Sequence, residues 1–188
     1  MTKKERMQKE LNELKKLIKI KTSGCMFNFL KKFLAIFNKN VGAIALFKTY
    51  FDFRASKRSL IGQLQTFEHE GTHLEQQNDD KLFYLKYAFP QILAVFSLLA
   101  FLAFFNLWFL LSLIFLIFLY PFNAPYRARV ELEAYKRQNE ILIKYGYSPL
   151  PYSFIKKVFT GPTYFYMWKN FSKKDYNEHF TIEYDDEK

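Results

Sequence analysis

The chain has a single cysteine, Cys25, among its 188 residues. One thiol excludes an internal disulfide and is typical of a reducing compartment. The opening residues MTKKERMQKELNELKK lack the short apolar core of a secretory signal, so we expect cytoplasmic synthesis without cleavage. The sequence also lacks a glycine-rich phosphate loop and any recognisable nucleic-acid-binding module, and we therefore expect no specific nucleic-acid partner.

Acidic residues are in the minority, with 18 Asp and Glu against 28 Lys and Arg, which gives a formal net charge of +10. This balance favours an anionic surface, either lipid headgroups or nucleic acid. Half of the residues are hydrophobic and one fifth are aromatic. Length and composition therefore indicate a folded chain of about one domain rather than a disordered one.

Charged residues are absent from Tyr87 to Tyr126. So long an apolar run is typical of a membrane-spanning segment. One straight α-helix over it would exceed the roughly 30 Å hydrocarbon core, whereas two halves turning near Asn106, about 22 Å each, would be short. We therefore expect an apolar helical hairpin over 87–126 that dips into lipid or is strongly tilted, or else is buried in a protein assembly.

The remaining sequence divides into three parts. Residues 1–40 predict basic amphipathic helices, over 3–22 and in the segment 26–37, which pack on the domain or a partner helix or lie on an anionic membrane. Residues 41–146 form the core that contains the apolar hairpin. Residues 147–188 are an aromatic extension with an acidic tail, and their Pro and Gly residues predict short strands and turns.

Within the core, residues 41–53 predict one strand. A helix follows, with Ser56 or Ser59 as its N-cap, and ends before residue 78. A further helix begins at residue 126 and is stopped by Gly146.

Two of the three histidines, His69 and His73, lie four residues apart on the first of these core helices. This spacing puts both imidazoles on one helical face, where they can bind one zinc ion. Glu70 lies where it can take a proton from a zinc-activated water as general base. The alternative is three solvated residues on an exposed helix.

A hydrolytic zinc site needs a third protein ligand. His179 lies in a polar tail that we expect to be mobile, which makes it a poor source. Glu131 and Glu133 are two residues apart, so on a helix only one of them can face the metal. The other is solvated or held by an arginine, namely Arg127, Arg129 or Arg137.

His69, Glu70, His73 and Gln76, followed by an E-x-E-A-Y helix with arginines just before it, resemble the gluzincin type of zinc metallopeptidase (HExxH…E). The chain is similar in particular to small zincin-like proteins of bacteria and phages, over about residues 59–140. The resemblance implies Glu131 as the third zinc ligand, with Glu133 as the alternative. It implies a mainly α (α+β) fold, in which a zincin-like HExxH helix and a glutamate-bearing helix flank the apolar hairpin beside a small β element.

Membrane zinc proteases of the CAAX-processing and heat-shock types also place membrane helices between HExxH and the ligand glutamate. Their acidic helix usually carries Asp four residues after the ligand, where this chain has Tyr135. Tyr135 lies one turn from Glu131 and can either hydrogen-bond near the metal or simply pack. Gln76, Arg127 and Arg129 are further candidates for supporting the ligands or stabilising the transition state.

These observations predict a membrane-associated zinc metallopeptidase that acts on a peptide or protein substrate. The alternative is a non-catalytic membrane-inserting or virion structural or cargo protein that retains a zincin-like fold. If the three ligands bind one ion, both ends of 87–126 lie on the same side of the membrane. Basic residues flank both ends and predict that this side is cytoplasmic, with a virion location as the alternative: Lys57, Arg58, Lys81 and Lys86 before, and Arg127, Arg129, Lys136 and Arg137 after.

Overall fold

A computed structural model describes residues 1–18, 20–21, 24–25, 27–30, 32, 43–46, 49–53, 58–119, 122–164 and 166–180. The fold is mainly helical with a small β-sheet, which confirms the expected mainly α class. The chain forms two compact units. Unit 1 comprises Met1–Lys81, Val130–Pro151 and Asn177–Lys188, and unit 2 comprises Leu82–Arg129 and Tyr152–Tyr176.

The first helix of unit 1, α1 (Lys3–Leu17), starts at a capping box in which Thr2 and Glu5 satisfy each other's backbone N–H groups. Its apolar residues Met7 and Leu11 are buried in the core of unit 1, against Leu64 and Phe67. The helix thus packs on its own unit, which was one of the arrangements expected for it beside packing on a partner helix or lying on a membrane. The expected end at residue 22 is wrong, because Ile20–Lys21 form strand β1.

Two further strands, β2 (Ala43–Leu46) and β3 (Thr49–Asp52), complete a three-stranded sheet in the order β1-β3-β2. β2 and β3 are antiparallel, with Leu46 opposite Thr49, and β1 runs parallel to β3. The single strand expected over 41–53 is therefore wrong. Thirteen residues exceed the usual strand length, and folding back lets both halves bury side chains on the same core. The predicted segment 26–37 lies largely outside the described residues.

The two long core helices are α2 (Leu60–Asp79) and α4 (Pro125–Lys144). All of α2 belongs to unit 1, and so does α4 from Val130 onward. Ser59 is the N-cap of α2, and its hydroxyl accepts a hydrogen bond from the Gly62 N–H. α2 ends at Asp79, two residues past its expected end before residue 78. α4 ends in a Schellman motif with Gly146 at φ 64°, as its sequence predicts.

In unit 2, helix α3 (Phe83–Ala88) leads into two 3-10 helices, Gln91–Phe104 and Leu107–Leu119, which we call the 3-10 pair. They meet at Phe105 and Asn106, where the turn was expected, and the Asn106 side chain accepts a hydrogen bond from the Trp108 N–H. Among the described residues, no helix combines the length and the apolarity needed to cross a membrane.

The remainder of unit 2 contains helix α5 (Tyr152–Thr160) and a short 3-10 turn, Pro162–Tyr164. Strands expected after residue 147 are thus wrong for this stretch: Ile155 and Phe159, one turn apart, bury one helical face. Residues around His179 form helix α6 (Lys173–Phe180) rather than a mobile tail. Ser172 and Asp175 cap its start reciprocally.

Candidate metal centre

Helices α2 and α4 bring together His69, His73 and Glu131, which form a buried group able to hold a metal ion. The Nε2 atom of His69 lies 3.5 Å from Oε2 of Glu131, and Nε2 of His73 lies 3.5 Å from Oε1. Only 1% of Glu131 is exposed. A carboxylate this deeply buried requires compensation by positive charge, which a cation or protonated histidines supply.

The spacing of these atoms suits zinc. Two ligands about 2.0–2.1 Å from a tetrahedral ion lie about 3.3–3.4 Å apart, and each of the two 3.5 Å separations, which go to different oxygens of Glu131, is close to that value. One ligand atom from each of the three residues lies within 4.8 Å of the other two. Two imidazole nitrogens and one carboxylate are also a donor set that zinc accepts. No fourth His, Cys, Asp or Glu joins the group within the described part of the chain. Three protein ligands are the number typical of catalytic zinc sites.

Gln76 holds His73 in position. Its Oε1 lies 3.0 Å from Nδ1 of His73, so that this nitrogen carries the proton and Nε2 is left to bind a metal. Its Nε2 donates to the Val130 carbonyl and, at 2.9 Å, to Oε2 of Glu133. Gln76 therefore connects a histidine on α2 with the backbone and an acid on α4.

Glu133 does not join the three buried ligand residues. Half of its side chain is exposed, and besides Gln76 it contacts Arg137 at 3.7 Å, while Arg137 also binds Glu75 at 2.6 Å. The expectation that only one of the two acids can face the ligand group agrees with this placement, since Glu131 is the buried one.

The charges of the site are strongly coupled. Burial alone would raise the pKa of Glu131, but the neighbouring His73 and His69 outweigh this effect and lower it well below its usual range. For His73, burial acts to lower the pKa, but the Glu131 carboxylate dominates and raises it to about 9. Protons and a metal ion therefore compete for the same atoms.

The carboxylate of Glu70 is buried beside the ligand residues. Burial raises its pKa, while the histidines and a hydrogen bond from the Ala45 backbone act in the opposite direction. The Ala45 carbonyl accepts a hydrogen bond of 3.1 Å from Gln77 Nε2. Two side chains of α2 thus bind the backbone of the edge strand β2, which holds Glu70 in place.

The remaining residues that the sequence analysis names as candidates do not join the three ligand residues. The buried ring of Tyr135 packs edge-on against His69, with centroids 4.5 Å apart. In unit 2, Arg127 donates hydrogen bonds to the carbonyls of Tyr87 and Tyr164 and to the side chain of Gln91, and Arg129 is exposed. His179 is not one of the residues grouped around Glu131.

Sequence reasoning missed a buried polar network on β3. The Tyr50 hydroxyl donates to Asp52 at 2.9 Å, and Arg58 binds both oxygens of that carboxylate. Burial, Asp52 and Glu70 together raise the pKa of Tyr50 far above its usual range. Its spacing follows no recognised motif, so only the alternation of Tyr50 and Asp52 along a strand could have indicated that the two side chains share a face.

Comparisons of the chain with family models, with curated proteins and with solved structures find no match.

Proposed function

We propose that the protein is a zinc metallopeptidase whose ion is held by His69, His73 and Glu131. The observation that carries this proposal is the pair of 3.5 Å separations between the histidine Nε2 atoms and the Glu131 oxygens. Each separation is close to the ligand–ligand distance in a tetrahedral zinc site, and the Glu131 carboxylate offers one oxygen to each histidine. When bound, zinc supplies Lewis acidity, which polarises a carbonyl and lowers the pKa of water.

Glu70 serves as the general base. Its carboxylate is buried beside His69 and His73, in position to accept a proton next to the ion. It takes a proton from the attacking water and then gives it to the leaving amine, as a single positioned carboxylate can do in both steps. The hydrogen bond from Ala45 keeps this carboxylate in one orientation.

An extended peptide is the substrate class that best suits the surroundings of Glu70. β2 lies at one edge of the sheet, and Ala45 of this strand contacts Glu70. Sheet edges bind extended chains by adding a strand. Because Glu70 and Gln77 already bind the N–H and the carbonyl of Ala45, a peptide aligned along β2 beside the base would pair with the residues on either side of Ala45 or displace one of these two contacts.

Replacing Glu70 with Gln tests the assignment. The Glu70→Gln protein should bind zinc stoichiometrically, measured by elemental analysis, but its hydrolysis of a peptide library should fall by about 10²–10⁴-fold. Glu75→Gln, an exposed change on the same helix, is the matched control and should retain full activity. Full activity in Glu70→Gln would reject Glu70 as base.

One observation favours the alternative of a non-catalytic membrane-inserting or virion protein. The 3-10 pair exposes many large apolar side chains, which hydrolysis does not require. Stoichiometric zinc with no turnover of any peptide would support this second function and leave the metal with a structural role.

A further inference from the structure

The 3-10 pair has a regular division between inner and outer faces. A 3-10 helix repeats every three residues, so each helix presents three stripes of side chains. On the first helix, small residues form the inner stripe: Ala94, Ser97, Ala100 and Ala103. On the second helix, the corresponding stripe is Phe109, Ser112, Phe115 and Phe118.

Contacts between the two helices identify these stripes as the inner ones. The Ser112 hydroxyl donates to the Ser97 carbonyl, which joins the two inner stripes. The Phe115 ring of the second inner stripe also packs on Phe96, a half-exposed residue of the neighbouring stripe on the first helix, with centroids 5.4 Å apart. Ala94 and Ser112 are buried. The two helices therefore contact each other through Ser97 and Phe96 on the first and through Ser112 and Phe115 on the second.

The remaining two stripes of each helix are apolar and mostly exposed. Phe104 is 92% exposed and Trp108 76%. The exposed outer residues on the first helix are Val95, Phe96, Leu98, Leu99, Phe101, Leu102 and Phe104, and those on the second are Leu107, Trp108, Leu110, Leu111, Leu113, Ile114, Leu116 and Ile117. Polar side chains of the pair lie on the inner stripes or at the turn, so neither helix has a polar face for water.

This distribution distinguishes lipid from a protein partner. A helix that docks on one protein buries one apolar stripe and keeps a polar face toward solvent. Here both outer stripes of both helices are apolar, so the environment must surround the pair. We propose that the 3-10 pair inserts into a lipid bilayer, with the turn at Phe105 and Asn106 as the leading end.

The opposite end of the pair has the residues of a membrane interface. Arg127 binds the carbonyl of Tyr87 and the side chain of Gln91, so the two ends of the apolar segment lie side by side. The ammonium group of Lys86 lies 5.6 Å from the centroid of the Tyr126 ring. Tyrosines with adjacent cations are enriched at headgroup level, and cations attract anionic lipid. The segment therefore enters and returns on one side.

Tryptophan fluorescence provides a direct test of insertion, because the chain has only two tryptophans, Trp108 and Trp168. In Trp168→Phe, Trp108 is the sole reporter near the leading end. In Trp108→Phe, the reporter is Trp168, which packs on Phe159 and Phe171. The full-length proteins are mixed with vesicles of phosphatidylcholine and phosphatidylserine, with or without bromine on the acyl chains. We expect brominated lipid to quench Trp108 strongly and Trp168 weakly.

A charge at the leading end gives a second measurement. Phe104→Glu should reduce the fraction of protein that floats with the same vesicles at least tenfold. The matched control is Tyr147→Glu, a change at an exposed aromatic residue of unit 1 outside both segments predicted to bind a membrane, and this variant should bind vesicles as the unaltered protein does. Unquenched Trp108, or equal flotation of Phe104→Glu and the unaltered protein, would overturn the proposal. A stable vesicle-free oligomer with a buried Trp108 and no flotation would point to a protein assembly instead.

Discussion

Gln76 Nε2 donates a hydrogen bond of 2.9 Å to Oε2 of Glu133, while Oε1 of the same amide faces Nδ1 of His73. One side chain thus aligns a histidine of α2 with an acid of α4. Partners of this kind fix the tautomer and the ring orientation of a metal-binding histidine.

Removing Gln76 should weaken zinc binding without removing a ligand. In Gln76→Ala, His73 loses the acceptor for its Nδ1 proton, and we expect zinc affinity to fall about 10–100-fold. Competition with a fluorescent chelator measures this change. Gln138→Ala on α4, which removes a long hydrogen bond of 3.4 Å to Gln65, is the control and should keep the original affinity. Unchanged affinity in Gln76→Ala would contradict the orienting role.

Substitutions of Glu131 and Glu133, the two neighbouring acids of α4, should have sharply different effects on zinc affinity. Glu131→Gln should lower zinc affinity by more than the roughly 10–100-fold typical of a supporting residue, because the carboxylate itself binds the ion. Glu133→Gln should have at most that smaller effect, since Glu133 acts through Gln76. Glu140→Gln, on the exposed face of the same helix, provides the baseline. A larger loss in Glu133→Gln than in Glu131→Gln would make Glu133 the ligand.

Zinc affinity should increase with pH up to about 9. In the metal-free protein, the Glu131 carboxylate raises the pKa of His73 to about 9, so below that pH zinc must displace a proton. Affinity should then fall about tenfold for each pH unit below 9, with release of roughly one proton per ion. Calorimetry at pH 7 in buffers of different ionisation enthalpy measures that number. A pH-independent affinity between 6.5 and 8.5 would contradict the coupling of His73 to Glu131.

The core packing of α1 predicts that truncating two of its leucines, Leu11 and Leu17, changes the free energy of unfolding by different amounts. Leu11 is 1% exposed, and truncation to Ala should lower the free energy of unfolding by about 2–5 kcal/mol. Leu17 is 82% exposed, so Leu17→Ala should change it by less than about 0.5 kcal/mol. Urea denaturation gives both values. Equal effects would mean that α1 does not pack on unit 1 through Leu11.

The sequence could predict those features that depend on local spacing. The i, i+4 histidines, the Ser59 cap and the Gly146 stop all lie within a few residues of the groups they act on. The juxtaposition of Glu131 with the histidines came from a family resemblance, because α2 and α4 are distant in the sequence. Ala45 as the partner of Glu70 could not be predicted, since a backbone group carries no compositional signal.

Errors occurred where local signals competed. Residues 41–53 have continuous β propensity, but strand length and sheet pairing decide where the chain folds back. The Pro and Gly residues around α5 suggested turns, although Ile155 and Phe159 have helical spacing. Ser172 and Asp175 form a capping box, which indicates a helix start and competes with the turn signals before it. The 3-10 form of the apolar helices has no clear sequence signal, because α and 3-10 helices favour the same residues.

The segment Leu82–Arg129 separates the two histidines from Glu131 along the chain. An ion bound by all three residues is therefore a crosslink between distant parts of the chain, and its binding energy adds to the stability of unit 1. At a free zinc concentration one hundred times the dissociation constant, this gain is about 2.7 kcal/mol. The metal supply of the cell would then determine how long each molecule survives, as well as whether it can react.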